Sequence, residues 1–133
     1  METREYVRSS GVWIGSGEKV LYLSDTGNSL NDSQTVTLSE PISKQKNGII
    51  LIWSRWVSEG VPANDNWNYS YIPRYQTNLP GSGGVALPMG RNSDGATFKM
   101  KYVYITDTQI SGHSMNSPLA TGNDLTLRRV IGY

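Results

Sequence analysis

The chain has 133 residues, 12 Lys or Arg, 11 Asp or Glu, one His and no Cys, for a net charge of +1. That length fits one domain, and a near-neutral balance provides no basic field for nucleic acid or an anionic membrane. Without Cys there are no disulfides, thiolate zinc sites, iron–sulfur clusters or cysteine nucleophiles, and a single His excludes any site that needs two.

The N-terminus, Met1-Glu2-Thr3-Arg4-Glu5, is charged and has no apolar stretch behind it, so a chain made in the cytoplasm without a signal peptide is expected. The longest apolar run, Ile49-Ile50-Leu51-Ile52-Trp53, is far short of the roughly 20 residues that cross a bilayer. Charged residues are 17%, against a usual value of about 25%, and 16 Ser, 10 Thr, 10 Asn and 14 Gly make the chain polar and rich in turns. Four Trp and eight Tyr stand against one Phe. Such amphipathic aromatics suit wet surfaces and interfaces, and their number argues for a folded chain.

No window carries a clean helical stripe, while short apolar runs and period-two alternation recur. Val12-Trp13-Ile14 is a short run closed by Gly15-Ser16-Gly17. Glu18 to Leu23 alternates, and Ser24 to Ser29 is a turn cluster. Gln34 to Ser39 predicts a strand with one apolar face, interrupted by Glu40-Pro41. Asn47-Gly48 offers a tight turn before Ile49 to Val57, the strongest strand, apolar on both faces in its first half and so expected to be central and covered. Ser58 to Asp65 is a loop. Trp67 to Ile72 alternates and places Trp67, Tyr69 and Tyr71 on one face. Thr77 to Gly84 reads as a loop, Val85-Ala86-Leu87 as a short strand ending at Pro88, and Arg91 to Gly95 as a turn. Ala96 to Thr106 is a long strand, Gln109 to His113 pairs with it through Asp107-Thr108, and Leu125 to Ile131 is the last strand. Roughly eight to ten strands at spacings of about 8–12 residues indicate an antiparallel sandwich, jelly roll or barrel. The expected fold is all-β, a jelly-roll-like antiparallel β-sandwich forming one domain over 1–133, with 1–30 as an anchoring or assembly segment.

The aromatics carry two opposed readings. Trp67, Tyr69, Tyr71 and the nearby Tyr75 form a stacking platform for a sugar ring or an interface hot spot. Alternatively they fill the core, because Asn68 and Ser70 make the other face polar and one face must be buried. Trp53 and Arg55 share a face, with Arg55 a candidate cation–π partner of an aromatic. Trp56, near the strand end, is a further candidate for binding. The lone His113, in Gly112-His113-Ser114-Met115-Asn116, reads as a brace for a turn. The six Asp fall in turns, where Asp usually bonds its own backbone. Gly15-Ser16-Gly17 and Gly81-Ser82-Gly83-Gly84 lack the Lys and the helix of a phosphate loop. Basic residues come close together at Lys99-x-Lys101 and at Arg128-Arg129; the latter two are adjacent on a strand and should point to opposite faces. No catalytic motif, metal site or cofactor is expected.

Several stretches together resemble a module found at the C-termini of tail, baseplate and fibre proteins of phages and prophages of Gram-positive bacteria. They are Asn47 to Ser54, Asn66 to Pro73, Lys101 to Thr108, Ile110 to His113 and Leu127 to Tyr133, within a region of about residues 30–133. The resemblance implies a virion protein in an external appendage, usually a homotrimer, contacting other virion structural proteins and host cell-wall polysaccharide. It implies no enzymatic activity, no nucleic acid and no membrane insertion. The module usually closes a longer protein, whereas here residues 1–30 alone precede it. That makes a head decoration, head-fibre or connector protein without a ligand the alternative. A stand-alone carbohydrate-binding module and a glycan hydrolase are less favoured, the latter because no carboxylate pair has a distinctive setting.

Overall fold

The computed structural model describes the backbone of residues 6–9 and 12–15, and all of 17–92 and 97–133. The run Met1–Glu5, Ser16 of the first Gly-Ser-Gly turn, and Ser93 to Ala96, including Asp94, lie outside the described residues. The strands are β1 (Tyr6–Ser9), β2 (Val12–Gly15), β3 (Lys19–Asn28), β4 (Thr35–Thr37), β5 (Gly48–Ser58), β6 (Val61–Pro62), β7 (Asn68–Pro73), β8 (Gly84–Gly90), β9 (Phe98–Ile105), β10 (Gln109–Ser111) and β11 (Leu125–Gly132). Their pairings are all antiparallel.

Two sheets make the sandwich. One has the order β4-β10-β9-β8, and the other β3-β11-β5, where β6 and β7 both pair with the far side of β5. β1 and β2 form a separate hairpin. The expected all-β single-domain sandwich is therefore the observed one. Between the sheets lie Ile49, Leu51 and Trp53 of β5 and Leu125, Leu127 and Val130 of β11, all fully buried. They meet Val103 and Ile105 of β9, Leu87 and Met89 of β8, Val36 of β4 and Ile110 of β10. Each such side chain contributes about 1.5–3 kcal/mol by leaving water.

Several local expectations are corrected. The Ser24–Ser29 cluster is not a turn; β3 runs through it to Asn28. The strand tolerates it because its pairing with β11 is irregular there, and Gly27 (φ +80) lies where a Cβ would strike the Thr126 side chain. β8 does not stop at Pro88 but continues to Gly90. Ser58 to Asp65 holds the short strand β6. One helical turn, α1 (Pro118–Thr121), is present: the Ser117 Oγ accepts the Ala120 N–H, and Gly122 ends it with φ +69.

The largest correction concerns the aromatic strand. Ser70 and Ile72 of β7 point into the core, and Tyr69 and Tyr71 point out. Trp53 explains the choice. It stands on the neighbouring strand, fully buried, and its indole Nε1–H donates to Ser70 Oγ at 3.1 Å. A small hydroxyl beneath the indole fills the interior and satisfies the only polar group of Trp53. The core reading of Tyr69 and Tyr71 is thus overturned.

A bulge at Arg128 corrects another expectation. β11 pairs Leu127 with Trp53 but Arg129 with Ile52, leaving Arg128 as the extra residue. Leu127 and Val130 both face the core, so Arg128 and Arg129 share the outer face instead of opposing one another.

Candidate functional site

The phase of each edge ladder follows from its end. The Arg74 N–H donates to the Asn47 carbonyl at 2.7 Å, so in the β5–β7 register Ile72, Ser70 and Asn68 turn their backbone groups toward β5. Tyr69, Tyr71 and Pro73 turn theirs to the open edge. Likewise the Ile105 N–H donates to Gly83 O (2.9 Å) and the Arg91 N–H to Thr97 O (3.0 Å). Val85, Leu87 and Met89 therefore bond β9, while Ala86, Pro88 and Gly90 face outward. Both prolines fall where an N–H would have no ladder partner, which is why neither breaks its strand.

These two open edges face one another. At one end the Asn68 side chain closes the gap: Nδ2 donates to Gly90 O (2.9 Å), and Gly90 N–H donates to Oδ1 (3.1 Å). Asn66 Nδ2 donates to the same carbonyl at 2.8 Å. Beyond this clip the edges diverge into a groove of about 350 Å³, with Tyr69, Tyr71 and Gln76 along one wall and Ala86 and Pro88 along the other. No charged side chain lines it. Tyr71 is held edge-on against Tyr133, with ring centroids 6.1 Å apart. Tyr75 is exposed in the short 3-10 turn Arg74–Asn78, beside Gln76.

The five aromatic candidates do not form one site. Tyr69 and Tyr71 line the groove, 59% and 62% exposed, whereas Tyr75, 66% exposed on the adjoining 3-10 turn, is not one of its lining residues. Trp67 is engaged elsewhere: the Arg128 guanidinium lies 5.3 Å from its ring centroid. Arg128 also donates to Ser54 Oγ (3.0 Å), Ala63 O (3.3 Å) and Asn64 Oδ1 (3.0 Å). Trp56 is half-buried at the far end of β5, opposite Pro62. It lies six positions along the chain from Ile50, which pairs with Tyr71, about 20 Å along a strand. Arg55 makes no aromatic contact among the described residues. It grips Asp65 through two bonds of 2.8 and 2.9 Å, which holds the Asp65 carboxyl below its ordinary range and raises the guanidinium. The cation–π role falls to Arg128. Trp67→Ala is expected to lower stability by about 1 kcal/mol, the worth of a partly desolvated cation–π contact, read as a small fall in the urea midpoint with an unchanged slope.

His113 braces a turn. Its Nδ1 accepts the Met115 N–H at 3.1 Å, and its ring packs against Tyr102 and Tyr104. Sequence reasoning misses the polar centre beside it. Lys101 of β9 is fully buried, and its Nζ donates to the carbonyls of Ser29 (3.3 Å), Asn116 (2.7 Å) and Asn123 (3.0 Å). Asn116 Nδ2 donates to Leu30 O and Tyr102 O, and its Oδ1 accepts the Tyr102 N–H. Burial pushes the ammonium down to about 7, while the nearby Asp124 carboxylate opposes the shift. Every N–H of the ammonium is used, so this cage is a brace that ties β9 to the 113–124 connection and to the end of β3.

Among the described residues no group of three or more His, Asp or Glu could hold a metal ion. No protein-family model matches the chain, and no curated protein matches its sequence.

Proposed function

We propose that this chain is a non-enzymatic structural protein of a phage virion appendage, self-associating, and that the tyrosine-lined groove contacts host cell-wall glycan. The observation that supports the ligand reading is the groove itself. Exposed Tyr69 and Tyr71 offer ring faces, Gln76 and the open Tyr69, Tyr71 and Ala86 backbone groups offer hydrogen bonds, and no charge lines the walls. Sugars are bound by such a mixture, with ring faces against C–H surfaces and polar groups against hydroxyls. The virion context comes from the sequence resemblance alone.

The test is binding to wall polysaccharides purified from Gram-positive bacteria. Tyr71→Ala is expected to weaken binding roughly tenfold, the loss of one good aromatic contact. Trp56→Ala and Trp67→Ala should leave it unchanged, because neither side chain reaches the groove. Wild-type protein that binds none of these polysaccharides would sink the attachment reading and favour a ligand-free decoration or connector protein. One observation favours that second reading: on the outer face of the β5 sheet Val20, Ile131, Ile50 and Tyr71 form one cross-strand row and Leu23, Arg129, Ile52 and Tyr69 the next, seven of the eight apolar or aromatic.

A further inference from the structure

The groove between β7 and β8 is walled by two strand edges that pair with no further strand among the described elements. Tyr69 and Tyr71 each present an N–H and a carbonyl from one wall. Ala86 presents both from the other, and Pro88 a carbonyl alone. A trans secondary amide has its N–H and its carbonyl on opposite sides, so one such group between two edges bonds both, as a peptide unit does inside a sheet. The chain already seats an amide in this gap. At the closed end the Asn68 carboxamide stands where a strand's peptide would, with Nδ2 donating to Gly90 O (2.9 Å) and Oδ1 accepting the Gly90 N–H (3.1 Å). Past Gly90 the same kind of edge groups continue along both walls.

We propose that this groove selects sugars carrying an N-acetyl group, holding the acetamido group as an amide that bridges the two edges. Three features favour that substituent. No charged side chain lines the groove, so a phosphate or a charged amine would enter it desolvated and unpaired, whereas an acetamido group is neutral. The gap takes a whole carboxamide at its narrow end; a hydroxyl, with one heavy atom, reaches a single wall, while an acetamido group reaches both. Its methyl is apolar and meets Ala86 and Pro88, which leaves Tyr69 and Tyr71 for the faces of the sugar rings. The direction of the walls argues against a polypeptide in the same place. From the Asn68–Gly90 clip β7 leads forward to Pro73 and β8 backward to Val85, so the two edges run antiparallel. A strand laid between them would be parallel to one, the weaker pairing. A pendant amide has no such constraint.

The inference rests on the glycan half of the proposed function and names the class of glycan. Its test uses N-acetylated wall polysaccharide purified from Gram-positive bacteria in its native form, de-N-acetylated with alkali, and re-N-acetylated with acetic anhydride. Binding to the full chain is measured at pH 9, where a freed sugar amine, titrating like an α-amino group at roughly 8, is largely uncharged. De-N-acetylation is expected to weaken binding roughly tenfold or more, the loss of both amide hydrogen bonds, and re-N-acetylation to restore it. Tyr71→Ala should weaken every form by a similar factor and leave the ratio between forms intact, because the backbone edge survives the loss of the ring. Asn68→Ala removes the clip that sets the gap, so it should bring that ratio toward one, with circular dichroism and the thermal midpoint checking that both variants fold. Equal binding of the native and de-N-acetylated polymer overturns the selectivity and leaves the attachment reading standing. Binding confined to polysaccharides without N-acetyl groups does the same. A ratio that collapses in Tyr71→Ala, or stays unchanged in folded Asn68→Ala, overturns the backbone bridge. A wild type that binds no wall polysaccharide, N-acetylated or not, defeats the attachment reading and this inference with it.

Discussion

Lys101→Ala is expected to lower the thermal midpoint by about 10 °C, from a loss of about 3 kcal/mol. The wild-type ammonium donates to three carbonyls, and Ala leaves the oxygens of Ser29, Asn116 and Asn123 without that donor. Each buried orphan costs about 1–3 kcal/mol. Relief of the cost of burying a charge offsets part of this, and the emptied stem adds a cavity cost. Lys101→Met separates the terms: it keeps the stem and removes only the donors, so a smaller loss is expected. The pH dependence has a definite sign. The folded ammonium titrates near 7, against 10.5 for an unperturbed lysine. Between those values the unfolded chain holds a proton that the folded chain has released, so stability rises with pH across that window and is flat below it. Urea unfolding of wild type and Lys101→Met at pH 7 and 9 should show the gap between them widening at the higher pH. A constant gap would mean that the lysine stays charged throughout.

The fold class is legible in the sequence because it depends on period two and on turn chemistry, which are local. The inward parity of Ile49, Leu51 and Trp53 is legible for the same reason. What is hidden depends on partners distant in sequence. Nothing within Trp67–Ile72 reveals that Trp53 needs a hydrogen-bond acceptor beneath its indole, so polarity alone sends Ser70 outward and the tyrosines inward. Alternation places Arg128 and Arg129 on opposite faces, and only a bulge set by pairing with both β3 and β5 brings them together. Lys101 looks like half of a Lys-x-Lys pair, because its three acceptors lie up to 72 residues away.

The candidate site divides in the same way. Tyr69 and Tyr71 stand out in the sequence as aromatics, but their groove is half made by β8, which carries no aromatic and no charge, and Tyr75, equally conspicuous in the sequence, falls outside its lining. The clip between Asn68 and Gly90 spans 22 residues and leaves no local signal. The continuous apolar face is half visible, since Ile50 and Ile52 mark the second side of β5 as apolar. Its extension to Val20, Leu23 and Ile131 requires the register.

Gly112→Ala is expected to cost more than about 3 kcal/mol and to abolish cooperative folding under mild conditions. The glycine has no left-handed backbone, so the argument is one of space alone. A Cβ there would run into the carbonyls of Leu30 and Asn31. These carbonyls cannot step aside, because the two segments are sewn together. The Gly112 N–H donates to Gln34 O at 3.0 Å, the His113 N–H to Leu30 O at 3.0 Å, and Asn116 Nδ2 to the same Leu30 oxygen at 2.7 Å. Opening a gap for one methyl therefore breaks backbone bonds and pulls Asn116 and Ser29 away from Lys101. Gly122 supplies the control. It has φ +69 and nothing within 4 Å of the point where a Cβ would stand, so Ala there meets only backbone strain, about 1–2 kcal/mol. Thermal unfolding of the two single variants should therefore separate widely, with Gly112→Ala far below Gly122→Ala. Equal midpoints would mean that the 30–34 turn yields more readily than its hydrogen bonds imply, and that the Lys101 cage is not held in place from that side.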